Sequence, residues 1–330
     1  MTLAAILIVM FSMAALATVF AFRTRDFRRQ NDYRTQKKSE PGVAPTAADA
    51  SLLGFLPARC NVLAALHVGE LLKNPAMRQL LDEPPLSVLS KSLPQWTGLK
   101  LADFDQIALG AEIKATLPQV VLVLQTRQPY VPAKVAAALA PAQPTQRRQK
   151  LLVRFSLPPT GEGLLWCHSE RVIVLVLGLD AVNTDELDAM PPRPRPGGEG
   201  FAEPLRMAIA QRLPATSALW LAGHFEQPSA AGDLLALTGK KNELLETLLQ
   251  AKSFVVGVQP QNQPMLTAHF HTGAAKASER LQALLEARRW DAAQSYKIAG
   301  PPPGAEPAEQ WVTLQVRGDV TKWISSWQEK

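Results

Sequence analysis

Histidines are the side chains that come nearest to a chemical signature in this sequence. His269 and His271 stand two positions apart in Met265–His271, an apolar run that predicts a strand, so both side chains lie on one face. His67 and His224 fall near the ends of two further predicted strands. Imidazoles brought together in this way could bind a transition metal. No acidic residue stands at ligand spacing, so we expect ordinary surface or core histidines.

Two shorter patterns also combine reactive residue types. Asp103 and Asp105 form a DxD pair, and paired carboxylates can hold a divalent ion. Turn and capping roles are much commoner for such residues, and we expect those here. Cys167 and His168 adjoin on a predicted strand, where neighbours point to opposite faces, so they do not form a nucleophile and base.

Established catalytic motifs are missing from the sequence. It contains no GxSxG, HExxH, P-loop, GxGxxG or CxxC pattern. We therefore predict no catalytic residue, no cofactor and no metal. The two cysteines, Cys60 and Cys167, allow at most one bridge, and two buried free thiols are the simpler expectation.

The positive charge of the chain is concentrated near its N-terminus. The chain has 35 Lys and Arg against 29 Asp and Glu, a net charge of +6. Seven of the basic and two of the acidic residues lie between Arg23 and Lys38, which leaves 28 against 27 elsewhere. The body is thus nearly neutral, which argues against nucleic acid as a partner.

An uncharged segment of 20 residues, Leu3–Phe22, precedes this basic stretch. As a helix it would rise about 30 Å, the thickness of the hydrocarbon core of a bilayer. We predict a single-pass transmembrane anchor over residues 1–22 with the lipid bilayer as its partner. A cleaved signal peptide ending near Ala21 is the alternative, but there is no basic region before the apolar run.

The basic flank predicts how the anchor is oriented. Lys and Arg beside a membrane helix favour the cytoplasmic side, so we expect a cell inner membrane protein with a cytoplasmic body; a periplasmic body is the alternative. Arg23, Arg25, Arg28 and Arg29 could also contact anionic lipid head groups. Residues 23–50 lack hydrophobic periodicity and predict a flexible linker.

The body divides at a Pro- and Gly-rich break, residues 191–200. Residues 51–190 and 201–330 each show apolar runs and amphipathic segments in the order β-α-β-β-α-β, with additions. This order predicts an α+β fold made of two ferredoxin-like (split βαβ) repeats with antiparallel sheets. Asn74 before Pro75 predicts a helix start, and further helices are expected at Asn183–Met190 and Val320–Trp327.

One resemblance to known proteins rests on four short phrases. They are Phe55-Leu56-Pro57, Asn61-Val62, Glu70-Leu71-Leu72 and Arg78-Gln79-Leu80-Leu81. Together they resemble the start of the soluble part of uncharacterised planctomycete-type membrane-anchored proteins. The resemblance extends over residues 52–318 and implies an N-terminal anchor and a body of repeated sheet-and-helix units. It implies no activity.

An apolar stripe near the C-terminus offers a site for a partner. Trp323 and Trp327 lie four positions apart on a predicted helix, where they either pack on the sheet or contact a protein partner. With no catalytic motif, we predict a membrane-tethered, non-enzymatic interaction or scaffold protein. The alternatives are a small-molecule or peptide-binding sensor that uses the cleft between the two repeats, and an enzyme whose site is assembled from distant positions.

Overall fold

The computed structural model describes eleven stretches of the chain: residues 51–82, 86–113, 119–139, 144–147, 150–157, 161–178, 199–226, 247–248, 250–261, 263–287 and 293–318. The predicted anchor, the basic linker, the helix over 183–190, most of the Pro/Gly break, and Trp323 and Trp327 lie outside them. None of the helices in these stretches combines the length and the apolar character that a membrane span requires.

Twelve strands form one large sheet. In chain order they are β1 Val62–His67, β2 Phe104–Glu112, β3 Gln119–Thr126, β4 Pro144–Arg147, β5 Lys150–Leu157, β6 Gly161–Cys167, β7 Val172–Gly178, β8 Leu219–His224, β9 Ser253–Gln259, β10 Met265–His271, β11 Ala293–Ala299 and β12 Trp311–Gly318. Across the sheet the order is β11-β12-β10-β9-β8-β1-β2-β3-β7-β6-β5-β4. All eleven pairings between these described strands are antiparallel.

Six α-helices connect the strands or pack on the sheet within the described stretches. They are α1 Val68–Lys73, α2 Pro75–Asp82, α3 Leu86–Thr97, α4 Pro132–Ala138, α5 Glu203–Arg212 and α6 Ala275–Glu286. The predicted cap at Asn74 is confirmed, because its side-chain oxygen accepts a hydrogen bond from the Met77 amide at 3.3 Å. The Asn74 side chain also donates to the carbonyl of Gln261, in the β9–β10 turn, at 2.9 Å.

The prediction of two ferredoxin-like repeats is wrong. A split βαβ unit needs one helix that crosses the sheet and delivers a parallel strand, with another strand between the two. Here three short helices leave β1 at His67 and return the chain to the same end of the sheet, where His67 pairs with Gln106 of β2. β1 and β2 are therefore neighbours and antiparallel, and the fold is dominated by one sheet.

The two segments on either side of residues 191–200 join within this sheet. β1 pairs with β8 along five residues, from Val62 with Gly223 to Leu66 with Leu219. Outward from this pair the order is β2, β3, β7 on one side and β9, β10, β12 on the other. The junction between the halves is thus a ladder of main-chain hydrogen bonds, with buried side chains on both faces.

Alternation along the strands creates two cores, one on each face. On the first face, Val62, Ala64 and Leu66 of β1 pack in a cluster with buried residues of α1–α4 and α6. On the second face, Leu63 and Ala65 pack in a cluster with the 3-10 helix Ser51–Phe55 and with α5. Central strands are buried on both faces, which is why β3 and β7 read as continuous runs of Val, Leu and Ile.

An aromatic ring covers a glycine on the neighbouring strand in each half. Phe155 of β5 stands opposite Gly163 of β6, and Phe254 of β9 stands opposite Gly223 of β8. A Cβ atom on Gly163 would lie 2.2 Å from the Phe155 ring, and one on Gly223 would lie 2.4 Å from the Phe254 ring. Glycine is required at both places because the ring occupies the space of its side chain.

Both ends of the sheet carry features that discourage pairing with another chain. At one end, β4 has only four residues and begins with Pro144, which lacks an N–H. At the other, β11 has an irregularity between Ala293 and Ser295 and carries the exposed Lys297. We therefore look for a binding surface on a face of the sheet and not at its edges.

Candidate binding site on the second face of the sheet

The second face changes character in the half that contains β8 to β12. There it carries a patch of polar and aromatic side chains, most of them partly exposed, which we name the polar sector. Two cross-strand rows form it, one of which runs His224, Ser253, His271, Trp311 and the other Val255, His269, Thr313. Gln315 continues this face along β12. The polar sector consists of His224, Ser253, His269, His271, Trp311, Thr313 and Gln315.

Trp311 lies at the centre of a stack with two cationic or polar neighbours. The guanidinium carbon of Arg212, at the end of α5, lies 5.0 Å from the centre of the Trp311 ring, within the range of a cation–π contact. The His271 ring lies 5.0 Å from the Trp311 ring and is tilted by 31° to it. Three partly exposed side chains from α5, β10 and β12 thus form one connected group.

Main-chain carbonyls fix two members of this stack. The indole nitrogen of Trp311 donates to the carbonyl of Ala308 at 3.2 Å. His271 Nε2 lies 2.8 Å from the carbonyl oxygen of Pro307; because a carbonyl only accepts, this nitrogen carries the proton and donates. Both carbonyls belong to the short 3-10 helix Pro307–Glu309, which therefore orients the stack.

His269 lies beside the stack and is held as a neutral imidazole. Its Nδ1 is 2.9 Å from the Thr313 hydroxyl, and its ring also hydrogen-bonds the main chain of Arg212. Burial, together with the positive charge of Arg212, lowers the pKa of His269 to about 4. Thr313 and the main chain of Arg212 therefore hold this ring in place.

His224 pairs with a buried serine at the other end of the row. Its Nδ1 lies 2.8 Å from the hydroxyl of Ser253. Burial lowers the pKa of His224; Glu226 opposes this shift, whereas His271 and Lys252 add to it. A serine next to a histidine is the geometry of an activated nucleophile. Ser253 is buried, however, and no carboxylate in the described stretches hydrogen-bonds His224.

The four histidines that the sequence singled out do not come together in one group. His269 and His271 do share a face, as the strand period predicts. His67 and His224 do not meet, because β1 and β8 are antiparallel and carry them at opposite ends of the sheet. His67 instead contacts Gln106, and burial lowers its pKa although Asp105 and Glu70 oppose the shift. Among the described residues, no group of three His, Cys, Asp or Glu could hold a metal ion.

Asp103 acts as a cap, as expected for such residues. Its carboxylate accepts a hydrogen bond from the Lys100 amide at 2.7 Å, at the start of a 3-10 turn. Asp105 is exposed and lies next to Gly69. Asp103 therefore closes the turn before β2, and Asp105 is an exposed residue of that strand.

Both cysteines are buried, and neither takes part in a disulfide. Cys60 packs in the core of the second face and Cys167 in that of the first, so the sheet separates them and excludes a bridge. Burial raises the pKa of the Cys167 thiol, and a hydrogen bond with Tyr130 partly offsets this rise. Cys167 is therefore no reactive thiolate.

Sequence reasoning missed two residues of the stack, Arg212 and Trp311. Arg212 is 99 positions from Trp311, and no local pattern links the end of a helix to a strand so far along the chain. One signal was present: Trp311, Thr313, Gln315 and Arg317 alternate with buried Val and Leu, which marks a strand with one polar face.

Comparisons with known proteins bear on the fold alone. No protein-family model matches the sequence, and no curated protein matches it. Crystal form III of TP0453 has a similar structure, with a TM-score of 0.50 and 11% sequence identity over 86% of this chain and 98% of that one. Crystal form I of TP0453 gives a TM-score of 0.45 at 11% identity over 84% and 98%. The first likeness shows a shared architecture of one large sheet.

Proposed function

We propose that this chain is a non-enzymatic binding protein that contacts a protein partner through Arg212, Trp311 and His271. The observation that carries the proposal is the stack itself, which is partly exposed and fixed in place before any partner arrives. Trp and Arg dominate binding energy when they lie at the centre of an interface. Side chains that are already ordered lose little entropy on association.

The chemistry of the polar sector favours binding over catalysis. A general base must have a nitrogen free to accept a substrate proton. The ring of His269 is engaged by the Thr313 hydroxyl and by the main chain of Arg212, so His269 is not placed to act as a base. The pairing of His224 with buried Ser253 leaves that hydroxyl without access to a substrate.

The geometry of the junction also bears on the sensor alternative. A sensor of this kind was expected to bind a ligand in a cleft between two repeats. In the described stretches the halves meet through the β1–β8 ladder, and Leu63, Ala65, Trp220 and Ala222 are buried there. The exposed polar sector is the better supported site.

A membrane location belongs to the same proposal. The apolar segment 3–22 would hold the chain at a bilayer, with Arg23, Arg25, Arg28 and Arg29 at anionic head groups and the body on the cytoplasmic side. Its support is the sequence alone. In intact cells, a C-terminal tag should resist protease until the inner membrane is broken; digestion in spheroplasts would place the body on the outer side.

Site-specific photo-crosslinking in cells tests the binding surface. A photo-reactive amino acid replaces Gln315 in the polar sector, and in a matched chain it replaces Tyr296, which is 53% exposed but points to the first face. We expect a discrete crosslinked protein band from position 315 and none from 296.

The stack itself is tested in the same assay. Trp311→Ala should reduce the crosslink from position 315 by about tenfold or more, while Trp311→Phe retains part of it, because hot-spot residues contribute about 2 kcal/mol. Unchanged melting temperatures show that the variants fold. Equal crosslinking from positions 315 and 296, or a crosslink insensitive to Trp311→Ala, would refute the proposal.

A further inference from the structure

Strands β8 to β12 carry positive charge and no acidic side chain. None of these five strands contains an Asp or a Glu residue. Apart from histidine, their basic residues are Lys297 of β11 and Arg317 of β12. Arg212 of α5 adds a third cation, which lies against Trp311 at the start of β12. We name Arg212, Lys297 and Arg317 together the basic stripe.

Strand register places Lys297 and Arg317 on the second face, beside the polar sector. Lys297 stands opposite Gln315, and directly opposed residues of an antiparallel pair lie on the same face. Arg317 is two positions further along β12 and therefore shares that face. Both side chains are exposed. Arg317 is six positions from Trp311, so at about 3.4 Å per residue the basic stripe is about 20 Å long.

The basic stripe is not neutralised by the described part of the chain. None of its three cations forms an ion pair there. Glu226 follows β8 and Glu309 lies in the 3-10 helix before β12, but neither pairs with Arg212. In the first half of the sheet, by contrast, Arg154 of β5 is paired with Glu162 of β6 at 2.6 Å. The charge of the basic stripe therefore remains available to a partner.

The positive charge on this side of the molecule also affects its histidines. After burial, the positive charge of Arg212 is the next largest cause that lowers the pKa of His269. His271 and Lys252 likewise add to the lowering of the pKa of His224. A negatively charged ligand is thus favoured at this surface, and a positively charged one is disfavoured.

The spacing of the cations indicates which kind of anion fits. Guanidinium and ammonium groups bind carboxylates and phosphates alike. Duplex DNA carries about one negative charge per 1.7 Å, or about 12 over the length of the stripe. The stripe has three cations, with the uncharged Thr313 and Gln315 between its ends. Such a spacing suits an extended protein segment of about six residues in which acidic residues alternate with uncharged ones.

We infer that the partner binds the polar sector through an extended acidic segment, whose carboxylates pair with the basic stripe. This inference rests on the proposed function and adds the chemistry of the partner to it. Lys297 and Arg317 lie outside the stack around Trp311, so their charge can be reversed without changing the stack. Because both are exposed, the variants should keep the melting temperature of the wild type.

Peptide crosslinking to the purified full-length chain tests the chemistry of the ligand. The chain carries the photo-reactive amino acid in place of Gln315, so peptide held by the basic residues 23–38 is not counted. The probe is fluorescein-labelled octaglutamate at low ionic strength, where charge attraction is least screened. We expect saturable crosslinking of octaglutamate and none of octaglutamine.

Charge reversal shows whether the basic stripe holds the peptide. Lys297→Glu/Arg317→Glu should lower the yield of crosslinked octaglutamate by about tenfold or more, because two attractions become repulsions. The matched control is Lys91→Glu/Lys134→Glu, which makes the same change in net charge at exposed positions of α3 and α4. This control should lower the yield by less than about twofold.

Two results with the purified chain would overturn the inference. One is a crosslink of octaglutamate that is no stronger than that of octaglutamine or is unchanged in Lys297→Glu/Arg317→Glu. The other is a stronger crosslink of a labelled thymidine octanucleotide, which would indicate a nucleic acid.

Crosslinking in cells separates this inference from the proposed function. The protein band obtained from position 315 should be lost in Lys297→Glu/Arg317→Glu and kept in Lys91→Glu/Lys134→Glu. A band that persists undiminished in the first variant would show a partner of other chemistry and overturn this inference alone. Absence of the band in the wild-type chain would overturn the proposed function and this inference with it.

Discussion

The second face of the sheet differs between the two halves of the molecule. Around β3, β6 and β7 it consists of buried apolar side chains, among them Val123, Leu164 and Val176, in one cluster with the 3-10 helix Ser51–Phe55. Around β10 and β12 it carries the polar sector, where burial alternates along each strand. The second face of the sheet is therefore part of the core in the first half and an accessible surface in the second half.

The first face carries helices in both halves, although β11 at its edge remains mostly exposed. Leu281 and Leu285 of α6 are buried in the same cluster as Leu314 and Val316 of β12. The outer strands of the second half are thus anchored from one side only. Stability comes from the first face there, which leaves the second face available for contact with a partner.

The largest expected difference between the two halves is the loss of unfolding free energy when a charge is placed on the second face. Val123→Asp would bury an unpaired carboxylate in the core of the first half, at a cost of about 4 kcal/mol or more. Gln315→Asp, on the same face in the polar sector, should cost about 1 kcal/mol or less, because water still solvates the group. Chemical denaturation of the two variants measures the difference. Similar losses at both positions would mean that the polar sector is as deeply buried as the first half.

The next largest effect concerns pH and His269. Because its folded pKa is about 4, below the ordinary 6.5, the unfolded chain binds an extra proton between these values. Stability is therefore fully present above pH 6.5 and falls as the pH drops towards 4. The loss is at most about 3 kcal/mol, and partial exposure of the ring reduces it to about 2.

His269→Gln isolates this contribution, since it keeps a hydrogen-bonding side chain without titration. Unfolding free energies between pH 7 and pH 4.5 should fall less steeply in the variant than in the wild type. Burial also lowers the pKa values of His67 and His224. Both residues remain in the two proteins, so they contribute equally to the fall of the unfolding free energy with falling pH. Identical slopes would show that His269 is not held neutral by its surroundings.

A smaller effect is expected at the contact between the halves. Asn74→Ala removes both the cap of α2 and the hydrogen bond to Gln261, and should lower the unfolding free energy by about 1–2 kcal/mol. Gln79→Ala, at an exposed site on the same helix, is the control and should change it by less than about 0.5 kcal/mol. If the two variants lose the same stability, Asn74 does not link the halves.

Local patterns in the sequence predicted the elements better than their connections. The hairpins β2–β3 and β9–β10 followed from two apolar runs separated by a short turn, and both are present. β4 and β11 were missed, because β4 is very short and β11 is mostly exposed and lacks a clear apolar alternation. Patterns of this kind report which face is buried, and carry little information about exposed edge strands.

The split βαβ prediction failed for a different reason. Element order β-α-β-β-α-β is compatible with parallel crossovers and with antiparallel returns, and hydrophobic periodicity is the same in both. The pairing of β1 with β8 joins residues about 160 positions apart in the sequence. The contact between Arg212 and Trp311 joins residues 99 positions apart. Contacts so distant in sequence depend on the packed structure, so the stack could not be predicted from the sequence.

Hydroxyl-radical footprinting in cells and on the purified chain tests most directly whether the polar sector contacts a partner. Trp311 and His271 are compared with Tyr296, the exposed aromatic residue on the first face. We predict that oxidation of Trp311 and His271 falls severalfold in cells relative to the purified protein, while oxidation of Tyr296 stays the same. Equal oxidation of Trp311 in both settings would contradict the claim that this surface binds a partner.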